Sequence, residues 1–196
     1  TLSGVDNRRV YAASDKGNTA YVFTNSDKGR TFNATFKGQK SFENGLYTSL
    51  AYNYLNSKDV NSIEAEITGD AFDFNPVLSN ANDATLAYSK YGDTHRILGI
   101  ISKNWTYGVD DKWGTTISTV FEYAQGGRFN YTYAGDINND GSPLNDLIYV
   151  PTSSEIGQMQ FSGAGQAEAF EQFIQQDNYL SGIRGEYVER YGALAP

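Results

Sequence analysis

The chain has 196 residues, a formal net charge of −8 and no cysteine. The acidity argues against nucleic acid as a partner, because phosphate binding needs clustered Lys and Arg. The missing thiols exclude disulfide frameworks, zinc ribbons and cysteine nucleophiles. Aromatics reach 14%, mostly 15 Tyr and 11 Phe, beside 20 Gly, a mixture that favours strands and tight turns over helix bundles.

In chain order, residues 19–25 read as extended, and Ser26-Asp27-Lys28-Gly29 as a turn. Residues 30–37 alternate, with Phe32, Ala34 and Phe36 on one face and Thr31, Asn33 and Thr35 on the other. After a connection from Gly38 to Gly45, residues 46–54 alternate again. Leu46, Thr48, Leu50, Tyr52 and Tyr54 share a face opposite Tyr47, Ser49, Ala51 and Asn53, the period-2 signal of a half-buried strand. Residues 56–92, rich in Asn, Asp and Ser with Pro76 among them, predict a long loop with room for a short helix or strand. Residues 94–107 and 113–123 predict two further strands around a Gly108–Lys112 connection. In the second, Ile117, Thr119, Phe121 and Tyr123 oppose Thr116, Ser118 and Glu122. A short extended piece follows at 128–133, then a loop over 136–163. Residues 165–176 predict the one clear helix, with Ala167, Phe170, Phe173 and Ile174 on one face. The tail from 177 is mixed.

The connections run short (26–29), short (38–45), long (55–92), short (108–112) and long (from 124). Outer-membrane barrels alternate short periplasmic turns with long extracellular loops; a soluble β-sandwich with two large loops fits too, because soluble antiparallel sheets also alternate. No apolar run is long enough for a membrane-spanning helix, and barrel strands, which alternate lipid-facing and lumen-facing residues, escape that criterion. Trp105, Tyr107 and Trp113 gather around 108–112, where a barrel would place an aromatic girdle and a soluble sheet its hairpin packing. The two readings part on Leu46, Leu50, Ile117 and Phe121: a lipid-facing stripe exposes them and a sandwich buries them. Thr1 opens into polar sequence with no signal peptide, so the expectation is either a soluble protein or a piece of a longer, processed one.

One segment carries coordination chemistry. Asp136-Ile-Asn138-Asn-Asp140-Gly141-Ser142 matches the first half of a calcium loop. Asp136, Asn138 and Asp140 stand at the oxygen-ligand positions, Gly141 at the sharp turn, and the Ser142 carbonyl at the seventh place. The closing acid is displaced: Leu147 occupies position 12, and Asp146 sits one residue early. The alternative is a polar loop whose Asp and Asn side chains cap turns through the backbone. His95 is the only histidine, and the Asp and Glu residues are scattered without a glycosidase-like spacing. The chain is therefore expected to have no enzymatic activity and no cofactor except Ca2+ in that loop.

Several stretches taken together resemble one family. Gly127-Arg128-Phe129-Asn130-Tyr131-Thr132-Tyr133-Ala134-Gly135-Asp136-Ile137-Asn138-Asn139-Asp140-Gly141, continuing through Asn145-Asp146-Leu147-Ile148-Tyr149-Val150-Pro151, is similar to a segment of large TonB-dependent receptors. The likeness is to the Oar-like type with an N-terminal carboxypeptidase-regulatory-like domain. Asp177-Asn178-Tyr179-Leu180-Ser181, Arg184-Gly185 and Tyr187-Val188-Glu189-Arg190 resemble the segment before their last strands. The resemblance implies an all-β fold, with antiparallel strands of a transmembrane β-barrel, long extracellular loops and one short loop helix. On it, all of residues 1–196 belong to one barrel domain, a fragment of a longer chain whose plug lies elsewhere. It implies energised uptake of a large or scarce nutrient across the outer membrane of a Gram-negative cell. The implied partners are outer-membrane lipid, the rest of the barrel and its plug, TonB acting through that plug, and a surface lipoprotein. The competing expectation is a secreted, soluble β-domain that binds calcium and a glycan or a partner protein.

Overall fold

The computed structural model describes residues 2, 4–12, 22–62, 65–82 and 85–195. Of the segment expected to be extended at 19–25, residues 19–21 lie outside that description, and residues 22–25 are exposed and form no strand. The fold is mainly β with antiparallel pairing and a few short helices. The chain divides into two compact units. One comprises Arg30–Ser57, Tyr91–Gly127 and Ala195–Pro196; the other comprises Thr1–Gly29, Lys58–Lys90 and Arg128–Leu194. They are called the sheet unit and the loop unit below.

The alternating segments form β1 (Arg30–Ser41), β2 (Leu46–Asp59), β3 (Ala87–Tyr88), β4 (His95–Tyr107) and β5 (Trp113–Ala124). The long strands follow the order β1-β2-β4-β5, with β3 pairing the far end of β2 at Lys58 and Asp59. β1 and β2 outrun their predicted ends, because a strand continues as long as a neighbour offers backbone partners, whatever its side chains do. The predicted 38–45 connection thus contracts to a turn at 42–45, closed by Phe42 N–H to Leu46 O at 2.8 Å and Gly45 N–H to Phe42 O at 3.1 Å. Gly45 is needed there: its φ is 80°, and a Cβ would stand 2.6 Å from the Asn104 carbonyl oxygen. The second turn is a single 3₁₀ stretch, Val109–Asp111, in which Asp110 and Asp111 both take positive φ. Among the described residues β1 and β5 are the sheet's edges, so the sheet is open.

The register fixes the faces. Leu50 pairs with Gly99, and Gly99 with Phe121; Thr48 pairs with Ile101, and Ile101 with Thr119. Paired residues share a face and neighbours along a strand alternate. Leu46, Leu50, Ile97, Ile101, Ile117 and Phe121 therefore lie on one side of the sheet, and Asn53, Ser102, Asn104, Thr116, Ser118 and Glu122 on the other.

The loop unit is not irregular. Beside β3 it holds α1 (Thr68–Asp73), β6 (Arg128–Phe129), β7 (Tyr149–Val150), α2 (Ser153–Ile156), α3 (Gln166–Gln176), α4 (Asn178–Gly182), β8 (Glu186–Tyr187) and β9 (Ala193–Leu194). The one clear helix expected is α3; of three further short α-helices, α1 lies in the 56–92 segment that left room for one, and α2 and α4 correct the expectation of a single helix. Two of the three have clear caps. Thr152 and Glu155 form a reciprocal capping box at α2, and the Asp177 carboxylate accepts from the Tyr179 and Leu180 amides at α4. The core gathers Leu147, Val150, Ile156, Ile174, Leu180 and Val188, with Phe170, Ala167 and Tyr131 packed against it. Of the predicted apolar face of α3, Phe173 falls at the rim, 48% exposed, where its ring meets Tyr131 edge-on.

Candidate functional site

Two features stand out: the faces of the sheet, and the polar network around the 136–146 loop. On the apolar face of the sheet, Phe36, Leu50, Ile117 and Phe121 are each 59–71% exposed, and Leu46 is half-buried. Aromatic rings bound this band at both ends. Trp105, Tyr107 and Trp113 stand at the end of the turns, with the Lys103 ammonium over the Trp105 ring. At the other end Tyr52, Tyr54, His95 and Tyr123 share the same face, and the Tyr52 hydroxyl meets His95 Nδ1 at 2.8 Å.

The opposite face pairs polar groups across strands. Ser102 meets Ser118 at 2.8 Å, Asn104 donates to Thr116 at 2.8 Å, and Asn53 donates to Asn33 and Thr35 at 2.9 and 2.7 Å. Arg96 and Glu122 form an exposed ion pair. Leu98, Ile100 and Val120 interrupt this face, so its polarity is strong but not complete.

In the loop unit, the residues predicted to bind calcium come together, but most of their oxygens are engaged. Asp136 accepts from the Asp140 amide at 3.1 Å and the Gly141 amide at 2.9 Å. Asn138 Oδ1 accepts from the Asp140 amide at 2.8 Å, and Asp140 Oδ1 from the Ser142 amide at 3.0 Å. These are the turn-capping bonds of the plain structural alternative. Asn138, Ser142, Asn145 and Asp146 are fully buried, so the loop is part of the interior. It is tied to other segments by Asn138 Nδ2 to Ser79 O at 2.7 Å, Tyr11 N–H to Asn138 O at 2.7 Å and Ser142 Oγ–H to Asp73 O at 3.1 Å. Among the described residues no group of three or more His, Asp or Glu side chains is arranged to hold a metal ion.

Both carboxylate oxygens of Asp146 are engaged by protein donors. Its Oδ2 accepts from the Ile137 amide at 3.0 Å, and its Oδ1 receives Arg8 Nη1 at 3.1 Å. Burial raises the Asp146 carboxyl above its ordinary value, and the Ile137 amide and the Arg8 charge oppose that rise. Arg8 also grips Asp6 and the Leu147 carbonyl, and its guanidinium lies 5.1 Å from the Tyr133 ring centre and 5.5 Å from that of Tyr187. Burial and the nearby Asp6 charge push the Tyr133 hydroxyl up to about 12.

Sequence reasoning missed this cluster, and also a second one in which Arg190 joins Asp59 at 2.7 Å and Asn75 at 2.8 Å. Their partners stand more than a hundred residues apart in the chain, and no local spacing signals such a meeting. Compared with known proteins, the chain matches no family model, no curated protein and no solved structure.

Proposed function

We propose that the sheet unit is a stretch of outer-membrane β-barrel wall, and that the loop unit is folded from that barrel's extracellular loops. The observation that carries this reading is the apolar band of large exposed side chains edged by aromatic rings at both ends. From His95 to Trp105 the strand rises about 34 Å, or about 26 Å for a tilt of about 40°, close to the roughly 25 Å band of such barrels. The polar opposite face suits a lumen, and the open edges at β1 and β5 suit continuation into further strands. The soluble sandwich requires Leu50, Ile117 and Phe121 to be covered, and all three are exposed.

The likeness of 127–151 and 177–190 to Oar-like TonB-dependent receptors extends the reading. The full protein would then take up a large or scarce nutrient, energised by TonB through a plug, with lipid around the wall. The test is fractionation of the natural full-length product beside its Leu50→Asp variant. The parent is expected in the outer-membrane fraction, extractable only with detergent, and the variant is expected to fail in assembly. A parent recovered in the water-soluble fraction would overturn the proposal.

A further inference from the structure

The apolar face of the sheet carries a furrow. Gly99 on β4 pairs with Leu50 on one side and with Phe121 on the other, so a residue without a side chain stands between two large ones. A Cβ at Gly99 would lie 3.8 Å from both Leu50 and Phe121, in ordinary contact. Gly38 on β1 repeats the omission, and a Cβ there would meet nothing within 4 Å. Between them lies a cavity of about 640 Å³ lined by the two glycines, Leu50, Ile101 and Phe121, within the size range of a small-molecule site. Lys40 lines the same cavity and is its one charged residue. It stands two residues beyond Gly38 toward the turn, on the same face by alternation. Its ammonium lies 4.9 Å from the Phe42 ring centre, and among the described residues it enters no ion pair. The Lys103 ammonium, by contrast, already donates to the Asn44 carbonyl.

We propose that this furrow seats an acyl chain of one anionic glycerophospholipid, with the lipid phosphate resting on Lys40. The seat presupposes the barrel wall proposed above and names the lipid that this part of the wall holds. Apolar walls suit a hydrocarbon chain, and the single lining charge is of the sign that a phosphate needs. Lys binds phosphate as a point charge, and its four-carbon stem lies along apolar surface while carrying the ammonium to the headgroup level. Trp105, Tyr107 and Trp113, at the end of the turns, mark that level. Short turns of such barrels face the periplasm, so the lipid belongs to the periplasmic leaflet.

The experiment is native mass spectrometry of the full-length protein, purified from membranes in detergent and titrated with dioleoyl phosphatidylglycerol, dioleoyl phosphatidylcholine or lipid A. The parent is expected to retain one phosphatidylglycerol and to prefer it over phosphatidylcholine about fivefold, the worth of one lysine near an anionic headgroup. Lys40→Gln should bring that ratio close to one. Lys37→Gln, near the same end of β1 but on the opposite face, should leave it unchanged. Gly38→Val fills the furrow at a position with room for the side chain and should release both lipids. Four results would each overturn the proposal: a parent that holds the two phospholipids equally, a parent that prefers lipid A, a Lys40→Gln variant that keeps the preference, or an assembled Gly38→Val variant that holds lipid as the parent does. A parent found in the outer membrane without lipid preference would remove the seat alone, whereas a parent soluble without detergent would remove the barrel wall and the seat with it.

Discussion

Ile174 and Leu180 in the loop unit are 1% and 0% exposed, whereas Ile117 and Phe121 in the sheet unit are both 59% exposed. Both sets sit in amphipathic elements with the apolar side chains on one face. In the loop unit that face turns inward and the charges that follow it in are matched, Arg8 with Asp146 and Arg190 with Asp59. In the sheet unit the apolar face is exposed, and the polar groups pair with each other on the other side. The difference teaches that periodicity reports which residues belong together, not which medium they face. Under the proposed barrel reading an oily surround selects the second arrangement and water the first.

The sharpest way to press on this contrast is to remove one arginine from each unit. Arg8→Ala leaves Asp146 buried without its counter-ion and is expected to cost about 3–5 kcal/mol, read by chemical denaturation of the loop unit. Arg96→Ala breaks a pair whose side chains are half exposed and is expected to cost at most about 1 kcal/mol. Equal losses at the two positions would erase the distinction between the units.

Truncating one isoleucine in each comes next. Ile174→Ala opens a hole in a closed core and should cost about 2–5 kcal/mol. Ile117→Ala removes a side chain from an open face, and its effect on sheet stability in detergent should be under about 1 kcal/mol. A large loss at Ile117 would mean that this face is packed against protein.

The smallest effect is on pH dependence, and it is confined to the loop unit. Asp73 and Asp146 both have carboxyls raised above the ordinary 3.8. The folded state therefore holds their protons more tightly than the unfolded chain does, and their contribution to stability is complete below the ordinary value and is lost as pH rises through the folded one. Asp73→Asn should accordingly raise the Tm, with the gain largest near neutrality and shrinking as pH falls toward the carboxylate range. A gain that is constant with pH would show that Asp73 carries no such strain.

Much of the sheet unit was legible in the sequence. The alternation of 46–54 and 113–123 placed β2 and β5 and sorted their faces correctly, because period 2 is a local property, and 94–107 placed β4. Strand ends were less legible, since β1 and β2 continue through Gly38 and through Asn56-Ser57 on the strength of neighbours that local pattern does not name. In the loop unit α3 was visible and α2 and α4 were not. Each is about one turn long, too short for periodicity to register, although the Thr152-x-x-Glu155 spacing and Asp177 were signals at hand. The 136–146 loop was legible as a motif, but its burial and its bonds to Tyr11, Asp73 and Ser79 were not, because those partners lie far along the chain.

The Ser102–Ser118, Asn104–Thr116 and Asn53–Asn33 bonds, together with Thr31 and Ser57 at 2.8 Å, bear on the lumen that the proposed barrel would have. Hydroxyls and amides that already hold one another across strands present a wetted surface with few spare hooks. A sugar or peptide sliding along it would exchange water for water rather than for protein. On the proposed barrel reading such a wall would act as a glaze: it would pass polar solutes without detaining them and leave any selective grip to other parts of the protein.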